Sequence, residues 1–131
     1  MRIRGIRDSG DMARRKGIKN EGRVIGVLQS CSFPGVETFR QASKAEEERG
    51  VDVVIYTIYG TRIFIQVKSS FAGRRAFEQR RKEGRYSEHI FVVLANCRDT
   101  DLAARVRHAV GRGIQRHPRI RTHSKLGMAA D

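Results

Sequence analysis

Asp52, Gln66 and Lys68 place a carboxylate, an amide and an ammonium along one apolar stretch, VDVVIYTIYGTRIFIQVK. Side chains two apart on a strand share a face, so Gln66 and Lys68 point together while Val67 points the other way. A three-residue loop of Tyr59, Gly60 and Thr61 pairs Ile58 with Arg62 and, counted outward, sets Asp52 opposite Lys68 on the face of Gln66. A two-residue loop turns Asp52 to the other face unless a bulge restores parity. Polar groups at the end of an apolar hairpin cost free energy unless they pair or hold a metal. Two chemistries fit these residue types: oxygen donors around a hard divalent cation, or an Asp52 to Lys68 ion pair at a sheet rim, of the weak kind frequent at surfaces.

The elements that must carry these groups are legible around them. Runs of β-branched and aromatic residues predict antiparallel strands near 51–58 and 62–68, with Val53, Ile55, Ile63, Ile65 and Val67 facing a core. Asn20 as an N-cap, followed by Val24, Ile25 and Leu28 at helical spacing, predicts a helix over 20–30, weakened by Gly22 and Gly26. Pro34 and Gly35 break it, Val36 to Phe39 reads as a short strand, and SKAEEER as a polar link or brief helix. FAGRRAFEQRRKEGR predicts a basic helix ending near Gly84, and HIFVVLA a buried strand. In DTDLAARVRHAVG, Leu102, Ala103, Val106, Ala109 and Val110 line one face of a last helix, with Asp99 or Thr100 capping it and Gly111 ending it. The expected fold is mixed α/β: one domain, a mixed central sheet containing an antiparallel hairpin, flanked by helices. The domain spans 19–112, between a flexible basic arm at 1–18 and a basic tail at 113–131.

Length and charge bound the function. A chain of 131 residues suits one core. Lys and Arg number 27 against 14 Asp and Glu, a net charge of +13 that repels itself unless an anion offsets it. Seven basic and two acidic residues fall in the first twenty, and six and one in 107–131, so the ends read as phosphate-seeking arms. The apolar runs are too short to span a bilayer and the Arg-rich start lacks a secretory apolar stretch, which places the chain inside the cell. Cys31 and Cys97 are far apart and read as reduced, buried thiols rather than zinc ligands. His89, His108, His117 and His123 have no partner at metal-ligand spacing and read as surface residues, and no phosphate-loop glycine motif occurs. Aromatics make up 7% and do not alternate with the basic arms, favouring backbone contact with duplex or branched DNA over stacking on single-stranded bases.

Gly50-Val51-Asp52, thirteen intervening residues and Gln66-Val67-Lys68 resemble the split motif of the PD-(D/E)XK nuclease superfamily. The similarity runs from about residue 17 to 110, with the same order of helix, three strands, helix and strand. Its apolar-QVKSS context is similar to Mrr-type restriction endonucleases and Holliday-junction-resolvase-like members. The resemblance implies a restriction-endonuclease-like fold and adds Glu21, on the first helix, to the site. Two positions depart from the pattern. Val51 stands where the family name has Pro, a position without a catalytic role. Gln66 stands for the usual acid, removing one negative charge and leaving an amide oxygen as ligand, a Gln-x-Lys arrangement similar to that of Mrr-type enzymes.

What the resemblance implies is an Mg²⁺-dependent endonuclease, with Mn²⁺ as a substitute ion, that hydrolyses DNA phosphodiester bonds. Asp52, Glu21, Gln66 Oε1 and the Val67 carbonyl are the implied metal ligands, and Lys68 orients the attacking water and neutralises the phosphorus centre. Arg74, Arg75, Arg80, Arg81, Lys82 and Arg85 follow within a few residues and are expected to meet phosphates, with Ser43, Ser69 and Ser70 as backbone hydrogen-bonding groups. The bland reading of the same basic helix is a solvated face with pairs such as Glu78 to Lys82. Similar resolvases are dimers, so a homodimer spanning two strands is the implied assembly, although no residue marks its interface. Two alternatives remain at this point: a nuclease-fold protein that binds DNA without cutting it, and a small basic RNA-associated structural protein in which Asp52 and Lys68 are only a rim pair.

Overall fold

Alternating Val and Ile from Val53 to Val67 make the middle of the molecule a two-faced sheet, and the polar groups are arranged by where that alternation ends. The computed structural model describes residues 2–116, with side chains from residue 15 onward. In chain order the elements are α1 (Arg2–Ser30), β1 (Val36–Gln41), α2 (Lys44–Glu48), β2 (Val53–Thr57), β3 (Arg62–Lys68), α3 (Phe71–Lys82), β4 (Ile90–Leu94) and α4 (Asp99–Arg116). The strands lie in the order β1-β2-β3-β4. The first three are antiparallel, and β4 runs parallel to β3, a pairing that requires a crossover, here α3.

Each face has its own core. Val53, Ile55, Ile63, Ile65, Val67 and Val93 pack with Val24, Val27 and Leu28 of α1 and Leu102, Val106, Ala109 and Val110 of α4. On the opposite face Val54 and Ile90 meet Phe77 of α3, with Phe64, Tyr56, Val92 and Tyr86 around them. The Phe77 and Tyr86 rings stack at 4.6 Å. The expected mixed α/β architecture is therefore present: a four-stranded mixed sheet between helices.

Five expectations change in detail. The hairpin register is Ile55 to Ile63 and Tyr56 to Arg62, not Ile58 to Arg62. A five-residue connection replaces the three-residue loop because Thr57 and Thr61 close it, Thr57 Oγ1 lying 2.6 Å from Thr61 Oγ1 and accepting from Thr61 N. Residues 2–18, expected as an arm, belong to α1; Arg, Lys, Met and Ala are good helix formers and no proline precedes Pro34, so helix there needs no apolar period. Asn20 is consequently an interior helix residue rather than a cap. At the other end α4 passes Gly111 to Arg116, because Gly113 and Ile114 still pack, Gly113 so close that a Cβ on it would stand 2.8 Å from Ile63. The rest of the expected tail, with His117 and His123, lies outside the described residues. Cys31 and Cys97 are free thiols, half-buried at the rim of the larger core rather than within it.

Candidate active site

The site begins where β2 starts. Gly50 has a φ of +89° and lies against the Tyr86 ring, where a Cβ would meet it at 2.8 Å; the left-handed turn this residue allows brings the chain off α2 into Val51 and Asp52. Extending the observed register by one residue sets Asp52 opposite Gln66, two positions from Lys68 on the same face. The expected opposition of Asp52 to Lys68 was therefore two residues out, with parity and face retained. Asp52 N donates to the Ile65 carbonyl at 2.8 Å, and Asp52 Oδ2 accepts from Val67 N at 2.8 Å. N–H and C=O of one strand residue point to the same side, so the Val67 carbonyl opens toward Asp52 as well. Gln66 is only 9% exposed, and no hydrogen bond engages its amide among the described residues.

Glu21 arrives from α1, around the end of the sheet. Its electrostatic neighbours are Asp52, Glu47 and Lys68. The helix is fixed on both sides of it. Asn20, buried, donates to Ser69 Oγ at 2.7 Å, just beyond Lys68. Arg23 donates to Asn20 Oδ1 at 3.1 Å, to the Ala95 carbonyl at 2.9 Å, to Asp99 Oδ1 at 3.0 Å and to the Cys97 carbonyl. This clamp ties α1 to the ends of β3 and β4 and to the start of α4, so Glu21 is held over the carboxyl end of the parallel strand pair.

Electrostatically the group is unresolved. Burial pushes the Asp52 carboxyl up to about 6, with Glu47 adding to the rise, against the opposing Val67 N–H and Lys68. Burial, then Asp52 and Glu47, push Glu21 to about 7, with Lys68 alone opposing. The Lys68 ammonium stands 5.8 Å from the Phe77 ring centroid, and no ion pair joins it to a carboxylate among the described residues. The rim pair that the bland reading requires is thus not formed. Two carboxyls raised by burial, an unengaged amide oxygen and a backbone carbonyl lie toward one lysine, which is a set that a hard divalent cation would relieve. Among the described residues no group of three or more His, Cys, Asp and Glu could hold a metal unaided, so an ion here would need the amide and carbonyl oxygens.

The remaining expected site residues divide. Ser43 caps α2: its hydroxyl accepts from Glu46 N at 3.2 Å and its own N donates to Glu46 Oε1 at 2.8 Å. Ser70 caps α3, accepting from Gly73 N at 3.1 Å. Arg80 Nε donates to Tyr86 Oη at 2.9 Å, Arg81 donates to the Ile90 carbonyl, and Arg85 lies 3.5 Å from Glu83. Arg80 and Arg81 are tied to the fold, whereas Arg85 makes only an exposed local pair. Arg74 and Arg75 are exposed in the first turn of α3, nearest Lys68, whereas Lys82 is exposed at its far end, eight residues or about 12 Å along the axis.

No family model, curated protein or solved structure matches the chain. Its reading rests on this geometry. Sequence reasoning missed Glu47, Asn20 and Arg23. Ser43-Lys-Ala-Glu46 is a capping-box pattern that would have started a helix at Lys44 and set Glu47 in its first turn. Asn20 and Arg23 carried no comparable signal, because their partners are backbone carbonyls and a serine far away in the chain.

Proposed function

We propose that this chain is a divalent-cation-dependent DNA endonuclease with a restriction-endonuclease-like core, in which Asp52, Glu21, Gln66 Oε1 and the Val67 carbonyl hold Mg²⁺ or Mn²⁺. The observation that carries the reading is a pair of carboxyls, Asp52 and Glu21, both raised first by burial and then by Glu47, with Asp52 also raising Glu21, beside a Lys68 that no ion pair engages among the described residues. Fold stability alone gives no reason to keep such a group, since neutral isosteres would remove the strain. When bound, the ion supplies Lewis-acid charge at the phosphoryl oxygens.

The protein's own groups do the rest. Lys68, free of any ion pair, donates to the non-bridging phosphoryl oxygens and orients the attacking water. The water oxygen gives a proton to solvent and forms the new P–O bond as the ester P–O bond breaks, and the departing oxygen takes a proton from solvent. Val67 N–H keeps Asp52 Oδ2 fixed, leaving Oδ1 for the ion. Arg74 and Arg75 lie along the approach of the phosphate backbone, and the net charge of +13 favours a polyanion. The test is incubation of the purified chain with linear duplex, branched and single-stranded DNA and with RNA, in Mg²⁺, Mn²⁺ or EDTA. Cation-dependent cutting of DNA supports the proposal. Binding without cutting supports the non-catalytic DNA-binding alternative, and binding restricted to RNA supports the structural one.

A further inference from the structure

The free edge of β4 is the floor of a groove of about 640 Å³, with α3 on one wall and α4 on the other. Its rim carries Arg74 and Arg81 from α3 and Arg105, His108 and Arg112 from α4, against Glu78 alone. In an ordinary open edge the strand's outward carbonyls would invite another strand. Here that invitation is withdrawn: Arg81 donates to the Ile90 carbonyl and Arg105 to the Leu94 carbonyl, so both ends of the outward edge are already occupied by guanidinium groups. Each guanidinium has five donors, and those not used on the strand remain for an anion.

Two aromatic surfaces also open into this groove. Phe71, at the start of α3, is 53% exposed, an uncommon position for so large an apolar side chain, with the Arg74 guanidinium 5.4 Å from its ring centroid. Toward the amino end of β4, His89 and Phe91 form an edge-to-face pair at 4.7 Å. Partial burial of the His89 ring, with Arg116, Arg81 and Arg112 nearby, lowers its proton affinity, so it offers a neutral aromatic face. A cationic rim with aromatic faces along it is the composition of a site for single-stranded nucleic acid, where phosphates meet arginines and bases stack. Phe71 and Arg74, at the start of the groove, stand three and six residues beyond Lys68, whose side chain lies against the same helix at Gly73 and Phe77, so the groove adjoins the candidate active site without sharing a lining residue with it.

We infer that the β4 groove binds a single strand of DNA, with bases stacking on Phe71 and on the His89 and Phe91 pair while the backbone follows Arg74, Arg105 and Arg112. The inference rests on the DNA reading of the neighbouring site and specifies its substrate: DNA with a single-stranded arm. It reverses the expectation from composition that stacking would not contribute. Phe71, His89 and Phe91 are dispersed in sequence and gather only because α3 crosses over to β4.

Fluorescence anisotropy with labelled dT12, a 12-base-pair duplex and rU12, in EDTA so that nothing is cut, tests it on the full 131-residue chain. Phe71→Ala is expected to weaken dT12 binding about tenfold, one stacked base, and duplex binding less than twofold. Arg112→Glu, on an exposed helix position, is expected to weaken dT12 and flatten the salt dependence of its binding constant, giving a second readout should Phe71→Ala disturb folding. Unchanged dT12 binding in both variants, equal losses for dT12 and duplex in Phe71→Ala, displacement of dT12 by poly-glutamate at equal charge, or tenfold preference for rU12 would each overturn the inference. Cleavage is scored separately with Mg²⁺: a chain that discriminates dT12 through Phe71 and never cuts loses the hydrolytic reading alone, and one that cuts but ignores Phe71 loses the groove alone.

Discussion

Glu46 and Glu21 lie toward the same end of the sheet, and the protein treats them in opposite ways. Glu46 is buried, gripped by both terminal nitrogens of the Arg40 guanidinium at 2.6 and 2.8 Å and by Ser43 N, and these bonds hold its carboxyl down to about 2. Glu21, pushed up first by burial and then by Asp52 and Glu47, rises to about 7. Arg40, also bonded to Tyr56 Oη, is raised in turn. One carboxylate is completed inside the protein and stabilises the turn from β1 into α2. The other is left incomplete among like charges, which costs stability and, in the proposed function, is relieved by a cation. The same residue type thus serves structure in one place and, as proposed, chemistry in the other, and the Arg40 and Ser43 hydrogen bonds that Glu46 has and Glu21 lacks separate the two.

The comparison breaks first on activity. Asp52→Asn and Lys68→Ala are each expected to reduce Mg²⁺-dependent DNA cleavage about a hundredfold or more, and EDTA to abolish it, with circular dichroism spectra unchanged. Arg40→Ala should leave metal dependence intact and lower the midpoint of urea unfolding, because Glu46 loses a bidentate partner. Asp52→Asn should move stability the other way in EDTA at pH 7.5, raising it by about 1–2 kcal/mol, since Asn still accepts from Val67 N and removes the penalised charge. If both variants destabilise alike, the contrast between the two carboxylates is lost.

Titration sharpens it. Between the unfolded carboxylate values near 4 and the folded values near 6 and 7, the folded chain keeps protons on Asp52 and Glu21 that the unfolded chain has released. Their contribution to stability therefore falls as pH rises through that window. Glu46 behaves oppositely: its contribution is complete above the ordinary value of 4.5 and is lost as pH falls toward 2. In EDTA the difference in urea midpoint between pH 5.0 and 7.5 should be more favourable to the higher pH in Glu21→Gln than in the wild type, and unaltered in Arg40→Ala. The smallest effect is expected for Asn20→Ala, which removes the tie to Ser69 and should lower the cleavage rate about fivefold while leaving the metal affinity alone, because Asn20 positions α1 without reaching the ion.

The sheet was readable because period-two patterning is a local signal: Val53, Ile55, Ile63, Ile65 and Val67 share a face in any hairpin of the right parity. The register was not, since it depended on a Thr57 to Thr61 closure that no residue count reveals. The face of Asp52, Gln66 and Lys68 survived the two-residue error because an even slip preserves parity. The helical state of residues 2–18 was hidden by the absence of an apolar stripe, and the extension of α4 by two glycines, one of which is there for close approach to Ile63. Glu21 was proposed through resemblance, and the structure gives it Asp52 and Lys68 as electrostatic neighbours; Glu47 could have been placed through the Ser43 to Glu46 capping box. The aromatic faces of the β4 groove belong to different elements and become a group only in three dimensions.

A calorimetric titration of Mn²⁺ into the wild-type chain and into Asp52→Asn, at pH 7.5 and without DNA, addresses the central assignment most directly. One ion per chain bound by the wild type, lost in Asp52→Asn and weakened at least tenfold in Glu21→Gln, is the predicted result. Equal Mn²⁺ binding by all three chains, or none by the wild type, would contradict it.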